Sequence, residues 1–280
     1  MHRDGKWAKQ ILALQESDGK WGCFHSLSQF YGAPLTTEQA LRRLERLGYT
    51  IEDACIQRAV DYMNECLTGK TQIPDPREKT HNWDIFTALI LSTWIRRFTG
   101  DNPHANRVAD QWAAIITSAF SEGSYNHEKY TAAYREILGL NPNGGRLVDF
   151  VNFYPVSLVS DCLDAGTQCA VMDYVLRKPD GIYYIYEDAL SVLPPYFESK
   201  KASRYLAAIE LLSRYPSAKH KLRFAADWLN ANRNEHGRWD MGPSVNDQVY
   251  FPLSDSWRKR GMREADCTER IEQLLQTLSE

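Results

Sequence analysis

Apolar residues recur along this chain at the spacing of three and four that is typical of amphipathic helices. Leu41, Leu44 and Leu47 follow that spacing, and Thr36 with Gln39 predicts a capping box at the start of their helix. A short strand is predicted over residues 182–186. Helices are predicted over residues 5–15, 36–47, 52–67, 83–98, 104–120, 127–138, 146–163, 165–177, 198–214, 217–232 and 262–278.

The helix over residues 83–98 is apolar on nearly every side, with Phe86, Leu89 and Trp94 among its large residues. Such a helix is buried on several sides. We therefore expect it in the inner ring of a barrel, with the helix over residues 104–120 as its partner.

A polar turn that follows a helix recurs through the chain. In the stretch AADWLNANRNEHGRWDMG, residues 225–242, a helix ends, a glycine follows and Trp239 comes next. The recurring glycines lie about 50 to 58 residues apart, a period that predicts a repeat with two helices in each unit. A glycine suits this position because it readily adopts a positive φ. The glycines are Gly19, Gly69, Gly123, Gly181 and Gly237.

The first of these turns, ILALQESDGKWG over residues 11–22, resembles the QW motif of the terpenoid cyclase and protein prenyltransferase superfamily. In that family Gln and Trp connect the repeats of an α/α toroid, and here Gln15 and Trp21 match them. The C-terminal copy keeps Gly237 and Trp239 but has Asn232 or Arg233 at the position of Gln. The repeat covers most of the chain, with tyrosines replacing tryptophan in the middle copies.

The resemblance implies an all-α fold, an α/α toroid of six hairpins. The first helix reads as the second half of a hairpin, and the last helix as the first half of one. Pairing these N- and C-terminal helices would close the ring. No low-complexity linker interrupts the chain, so we expect residues 1–280 to form a single toroid domain.

Composition narrows the range of functions. The net charge is −3 with both signs interspersed, so no basic stripe indicates nucleic-acid binding. The N-terminus is polar and the longest apolar run, residues 88–91, is too short to span a bilayer. The six cysteines form no CxxC pair. We expect a cytoplasmic protein with reduced, mostly buried thiols, no cofactor, no metal and no membrane span.

In the predicted topology the loops after the helices gather at one end of the barrel, where a mouth of aromatic and acidic side chains is the expected site. Asp84 and Asp247 are the candidate catalytic acid and base, with Asp240 or Asp255 as alternatives to Asp247, since two carboxylates suit glycan cleavage. The candidate ligand-binding residues are His25, Tyr31, His81, Trp83, Tyr186, Asp188, Trp239, Asp240, Tyr250, Asp255, Trp257 and Arg258.

Structural roles are the alternative for several of these residues. Aromatic residues that follow a turn glycine more often pack against the helix end than bind ligands. This favours a structural role for Trp21 and Trp239. Asp84 suits the first turn of a helix because a carboxylate there faces the positive end of the helix dipole. Asp255, before Ser256, suits a helix cap.

The catalytic motifs of the resembling families are missing. No two aspartates are adjacent, which excludes the Asp-x-Asp-Asp acid of squalene-type cyclases and the paired aspartates that bind metal-diphosphate. Residues 161–164, DCLD, come nearest to the latter. Asp53 and Cys55 have the Asp-x-Cys spacing of a prenyltransferase zinc site, but they lie in the wrong part of the chain. The Cys-Cys-His set of lanthionine cyclases is also missing.

Three functional hypotheses remain open. The first is a ligand-binding or scaffold protein, with a small molecule in the central cavity or a protein partner. The second is an enzyme or binder for an isoprenoid or another apolar ligand, in which aromatic walls stabilise a cation. The third is a carbohydrate-active hydrolase or lyase of the six-hairpin type. Fold alone does not determine function. The three hypotheses would be distinguished by the centre of the ring, where an open aromatic cavity favours an apolar ligand, a plug of side chains favours a scaffold, and a wet acidic groove favours a sugar.

Overall fold

The computed structural model describes residues 2–28, 34–79, 82–143 and 149–279. These residues form twelve α-helices and no β-strand, which confirms the all-α class. Two short 3-10 helices cover Ser26–Ser28 and Pro243–Val245. The α-helices are α1 (Lys6–Leu12), α2 (Thr37–Arg46), α3 (Ala54–Leu67), α4 (Trp83–Phe98), α5 (Pro103–Ala119), α6 (His127–Leu138), α7 (Phe153–Leu158), α8 (Ala165–Arg177), α9 (Lys200–Leu212), α10 (Ala218–Lys221), α11 (Arg223–Ala231) and α12 (Arg260–Ser279).

The chain divides into two compact units. Unit 1 comprises Met1–Ala109 and Gln248–Asp255, and unit 2 comprises Asp110–Asp247 and Ser256–Glu280. Each unit has its own set of buried apolar side chains. The single domain expected over residues 1–280 stays a prediction.

In unit 1, α1 packs on α2 and α3 packs on α4. The predicted capping box is present at α2, where Thr36 accepts from the Gln39 backbone N–H and the Gln39 side chain accepts from Thr36. Leu41 and Leu44 are fully buried on the predicted face. Helix α4 is buried along most of its length, as its all-round apolar sequence predicts.

In unit 2, α7 packs on α9, and α10 packs on α8, α11 and α12. The buried face of α9 carries Leu206, Ile209 and Leu212, as predicted. Arg270 of α12 reaches α9, where its Nε lies 2.6 Å from Oε1 of Glu210 and its Nη2 lies 2.9 Å from Oε2. This two-pronged ion pair joins the two helices below the surface.

The recurring turn has the same local geometry at all five predicted positions. Each glycine has a positive φ, between 62° and 96°, and each donates its N–H to the carbonyl three residues earlier at 2.8–3.1 Å. This is the left-handed conformation that an L-residue adopts only at a cost. The glycines are Gly19, Gly69, Gly123, Gly181 and Gly237.

The first turn shows how the Gln and Trp of the motif act. The Gln15 side chain donates to the carbonyl of Gly19 at 2.9 Å and to that of Cys55 at 2.8 Å, so it connects this turn to the start of α3. The Trp21 indole is buried and donates to the carbonyl of Ile11 at 2.8 Å. The hydrogen bonds of Gln15 and Trp21 therefore connect the end of α1 to the turn that follows it and to α3 in the next repeat.

The C-terminal turn repeats half of that arrangement. Trp239 is fully buried and donates its indole N–H to Leu229 at 2.6 Å, again ten residues earlier. In this register Arg233 stands where Gln15 stands in the first turn. Its guanidinium lies 4.6 Å from the centre of the Trp239 ring. A cation–π contact thus replaces the glutamine's hydrogen bonds.

Three predicted elements differ from the structure. The helix expected over residues 146–163 is reduced to α7, because Asn152 caps it at the start; residues 144–148 lie outside the described part of the chain. The strand expected over 182–186 is two isolated bridges, Asn152 with Tyr183 and Ile182 with Tyr186. The helix expected over 217–232 is broken at Leu222 into α10 and α11.

Within the described residues, no helix is both long enough and apolar enough to cross a membrane. All six cysteines are free thiols, and Cys23, Cys55 and Cys267 are buried. In the same described part of the chain, no three His, Cys, Asp or Glu side chains come close enough to hold a metal ion.

Candidate functional site

A cleft of about 360 Å³ lies in unit 1. It is formed by the end of α3, the loop over residues 69–77 and the first half of α4. The volume falls near the lower end of the range for small-molecule sites. Its polar and aromatic lining includes Gln72, Asp75, Arg77, Trp83, Asp84 and Thr87.

Asp75 lies on the inner side of the cleft, between two prolines of the loop. Its carboxylate is buried and accepts the backbone N–H of Phe24 at 2.6 Å and that of His25 at 2.8 Å. Hydrogen bonds from backbone N–H groups stabilise a buried carboxylate. Asp75 therefore fixes the loop to the segment after Trp21.

Arg77 and Asp84 form an ion pair, with 3.2 Å between Arg77 Nη2 and Asp84 Oδ2. Their side chains are 70% and 83% exposed, so water screens this pair. Asp84 lies in the first turn of α4, where the helix dipole favours a carboxylate, as the structural alternative predicts. Trp83, beside it, contacts Phe86 with 6.2 Å between ring centres.

Thr87 faces the cleft from the next turn of α4. Its Oγ1 is buried and has no hydrogen-bond partner in the described residues. A helical threonine usually donates to the carbonyl four residues earlier, as Thr93 of the same helix does to Leu89 at 2.8 Å. Thr87 lines the cleft, but its Oγ1 has almost no accessible surface, so the unsatisfied hydroxyl is not open to the cleft and its burial costs free energy.

The other candidates of unit 1 lie apart from the cleft lining. His25 is buried, with its ring edge-on to Phe86 at 5.6 Å. Tyr250 is buried beneath the guanidinium of Arg46, 5.4 Å from its ring centre. Tyr31 and His81 lie outside the described residues.

Asp255 is a helix cap, as the structural alternative predicts, although the helix is α1. Its Oδ1 accepts the backbone N–H of Lys6, the first residue of α1, at 2.7 Å. This carboxylate satisfies an N–H that the start of a helix leaves without a partner.

In unit 2, Asp240 is held by arginines. Arg263 contacts both of its oxygens, at 2.6 and 2.7 Å, and Arg260 approaches to 3.4 Å. Burial alone would raise the pKa of Asp240, but the hydrogen bonds and charge of Arg263, with help from Gly242 and Arg260, lower it. Asp240 is therefore ionised near neutral pH and does not suit the role of a general acid.

Three further candidates of unit 2, Asp188, Tyr186 and Trp257, make structural contacts. Asp188 pairs with Lys201 at 2.9 Å, and buried Tyr186 packs edge-on to Tyr205. The Trp257 indole donates to buried Asp266 at 2.6 Å. Arg258 is exposed and Asp247 is half-buried; full burial of Trp239 favours its structural role.

Searches of protein-family models, curated proteins and solved structures found no match to the chain.

The sequence indicated two of the cleft residues, Trp83 and Asp84, and missed Asp75 and Thr87. Asp75 stands in a loop with many other polar residues, among them Gln72, Arg77 and Glu78, so the sequence does not single it out. Thr87 stands in an apolar helix, where a hydroxyl requires a partner. Thr87 could have been singled out on that ground.

Proposed function

We propose that this chain is a ligand-binding protein whose ligand occupies the unit 1 cleft, and that it performs no acid–base chemistry there. The proposal rests on one observation: the candidate carboxylates either hold structural partners or are exposed in an ion pair. Asp75 is occupied by backbone N–H groups, and Asp84 is an exposed partner of Arg77. Asp240, in unit 2, has a lowered pKa. The cleft lining also contains the indole of Trp83 and the amide of Gln72, which are binding groups.

A thermal-shift panel tests this function. The probes are farnesyl diphosphate, neutral oligosaccharides, uronic-acid oligosaccharides and zinc, each with the full chain. A ligand at a hundred times its Kd stabilises the protein by about 2.7 kcal/mol, which corresponds to a rise in Tm of roughly five degrees or more. We expect one probe class to give this shift.

The control is Trp83→Ala, which should lose the shift if the ligand occupies the cleft. The absence of a shift from every probe, or a shift unaffected by Trp83→Ala, would contradict the proposal. Turnover of an oligosaccharide that is lost in both Asp84→Asn and Asp247→Asn would instead support the glycan hydrolase or lyase.

We propose further that the chain closes into an α/α toroid of the terpenoid cyclase and prenyltransferase type, with α1 paired to α12. Support comes from the five glycine turns of one geometry and from Gln15, whose side chain joins its turn to the next repeat. In such a fold the first and last helices of the chain would form one hairpin.

Spin labels test the closure. Lys9 and Gln273 are exposed on α1 and α12, and each is replaced by cysteine in a chain whose Cys66, Cys162 and Cys169 are serine. Paired helices have axes about 10 Å apart, so we expect one short, narrow distance distribution. A long or broad distribution in the folded protein would refute the toroid, and denaturant supplies the open-chain reference.

A further inference from the structure

Two tyrosines of unit 2, Tyr125 in the loop before α6 and Tyr174 on α8, stack on each other. Their ring centres lie 4.5 Å apart and their planes differ by 25°. At that separation, carbon atoms of the two rings are close to van der Waals contact. We propose that this pair is an oxidation site, at which hydrogen peroxide, acting through a haem peroxidase, joins the two rings in a dityrosine crosslink. The site lies in unit 2 and is independent of the unit 1 cleft.

Neighbouring phenylalanines hold the two rings together. Phe120 contacts Tyr125 at 5.7 Å and Tyr174 at 5.8 Å between ring centres, and Phe150 contacts each of them at 5.9 Å. Tyr125 and Tyr174 are both half-buried, so solvent reaches part of each residue. An oxidant in solution therefore has access to a pair whose rings are already in place.

Each phenol has a proton acceptor within hydrogen-bond distance. Tyr125 Oη lies 3.0 Å from Nδ1 of His127, which accepts in the tautomer protonated at Nε2. Tyr174 Oη donates to Oδ2 of Asp149 at 3.4 Å.

These acceptors matter because both phenols keep their protons at neutral pH. Burial, together with the nearby charge of Asp149, raises the pKa of Tyr125 and that of Tyr174 above the usual value of a tyrosine. A phenol that is oxidised while protonated must release its proton, and a positioned base accelerates that release.

The reaction balances with hydrogen peroxide as the oxidant. Each tyrosine gives up one electron and its phenolic proton, and the two phenoxyl radicals form a carbon–carbon bond between ring carbons ortho to the oxygens. The hydrogen on each of those carbons then moves to the phenolic oxygen of the same ring, which restores both hydroxyls. The two electrons and two protons reduce one peroxide to two molecules of water.

A second tyrosine pair of unit 2 has a different geometry. Tyr186 and Tyr205 meet edge-on, with 5.4 Å between ring centres and 73° between planes, and both are buried. The Tyr205 hydroxyl donates to the backbone carbonyl of Leu190 at 3.1 Å, and a carbonyl is not a base. This pair has neither the overlap nor the solvent access of Tyr125 and Tyr174.

The experiment treats the full chain, at low concentration, with a haem peroxidase and limiting hydrogen peroxide. Monomer is isolated by size exclusion, because Tyr196 is 75% exposed and is accessible for coupling between chains. Blue dityrosine fluorescence follows the reaction, and mass spectrometry of the digested monomer locates the crosslink. We expect two peptides joined through Tyr125 and Tyr174, with the loss of two hydrogen atoms.

Single variants test the assignment. Tyr125→Phe and Tyr174→Phe should each lose the dityrosine fluorescence of the monomer, and Tyr186→Phe, the matched control, should keep it. His127→Ala should slow the crosslink several-fold, because the Tyr125 phenol loses its proton acceptor. Circular dichroism establishes that each variant is folded, and the crosslink map of the parent chain requires no variant.

A parent monomer that forms no crosslink, or one whose crosslink joins other tyrosines, would overturn the inference. Fluorescence that survives in the Tyr125→Phe monomer would do the same. A rate that His127→Ala leaves unchanged would overturn the role of its imidazole as the proton acceptor. The thermal-shift panel on the unit 1 cleft is a separate test, so failure here leaves the ligand-binding proposal intact.

Discussion

Gly181→Ala is expected to lower the free energy of unfolding by about 4 kcal/mol, the sum of a left-handed backbone penalty and an overpacking penalty. Gly181 has φ of 62°. A Cβ built on it would lie within 3.0 Å of the backbone of Tyr186 and Asp188, closer than real Cβ atoms approach. The strain cannot be relieved by a rotamer change, since the obstacle is backbone.

Gly123→Ala is the matched control for this prediction. Gly123 occupies the equivalent position in another turn of unit 2, with φ of 78° and nothing within 4 Å of an added Cβ. It should lose only about 1 kcal/mol, the cost of the backbone conformation. Urea denaturation of both variants measures the difference. Equal losses would mean that the close approach at Gly181 has no energetic weight.

Removing the arginine of the buried ion pair, in Arg270→Met, should cost about 3 to 5 kcal/mol. Arg270 is 3% exposed and Glu210 is 11% exposed, so methionine would leave a carboxylate with little access to water and no cation. The contacts of Arg270 with Ser203, at 3.4 and 3.5 Å, would be lost as well. Denaturation curves at neutral pH give the value.

Two further variants make this second prediction specific. Arg270→Met combined with Glu210→Leu should recover much of the loss, since an apolar pair of similar size replaces the buried charges. Arg223→Met, in an exposed pair 4.0 Å from Asp227, should change stability by less than about 0.5 kcal/mol. If the double variant were no better than Arg270→Met, the loss would come from packing and not from the uncompensated charge.

These two predictions concern a local and a tertiary feature of unit 2. The glycine turn is a local backbone feature, and the free-energy cost of adding a Cβ at Gly181 is set by backbone atoms of the loop that follows it. The ion pair is a tertiary feature that joins α9 to α12. Either loss would be a large fraction of the total stability of an ordinary protein, which is about 5 to 15 kcal/mol.

The cleft differs from both, because Thr87, Arg77 and Asp84 in its lining contribute little to stability. Thr87 lacks a hydrogen bond, and the Arg77–Asp84 pair is exposed. Residues whose hydrogen bonding or exposure is unfavourable, and which do not stabilise the fold, are often functional. This is the reason for preferring the cleft to the buried candidates Trp239, Tyr186 and Tyr250 as a ligand site.

The sequence by itself determined the helical class, most helix positions and the five glycine turns. These depend on short-range physics: the spacing of apolar residues, the reciprocal bonds of Thr36 and Gln39, and the positive φ that glycine adopts cheaply. Helix α4 begins and ends where its apolar pattern does, at Trp83 and Phe98. Local signals of this kind require no knowledge of distant parts of the chain.

Tertiary structure alone decided which polar side chains have a hydrogen-bond or ion-pair partner in the fold. Asp240 and Asp84 look alike in sequence, yet one is held by Arg263 and the other is exposed at a cleft. Asp255 caps α1, almost the whole chain away, and Thr87 is left without the bond that Thr93 makes. A side chain's partner depends on which elements pack beside it, and residue spacing does not encode that.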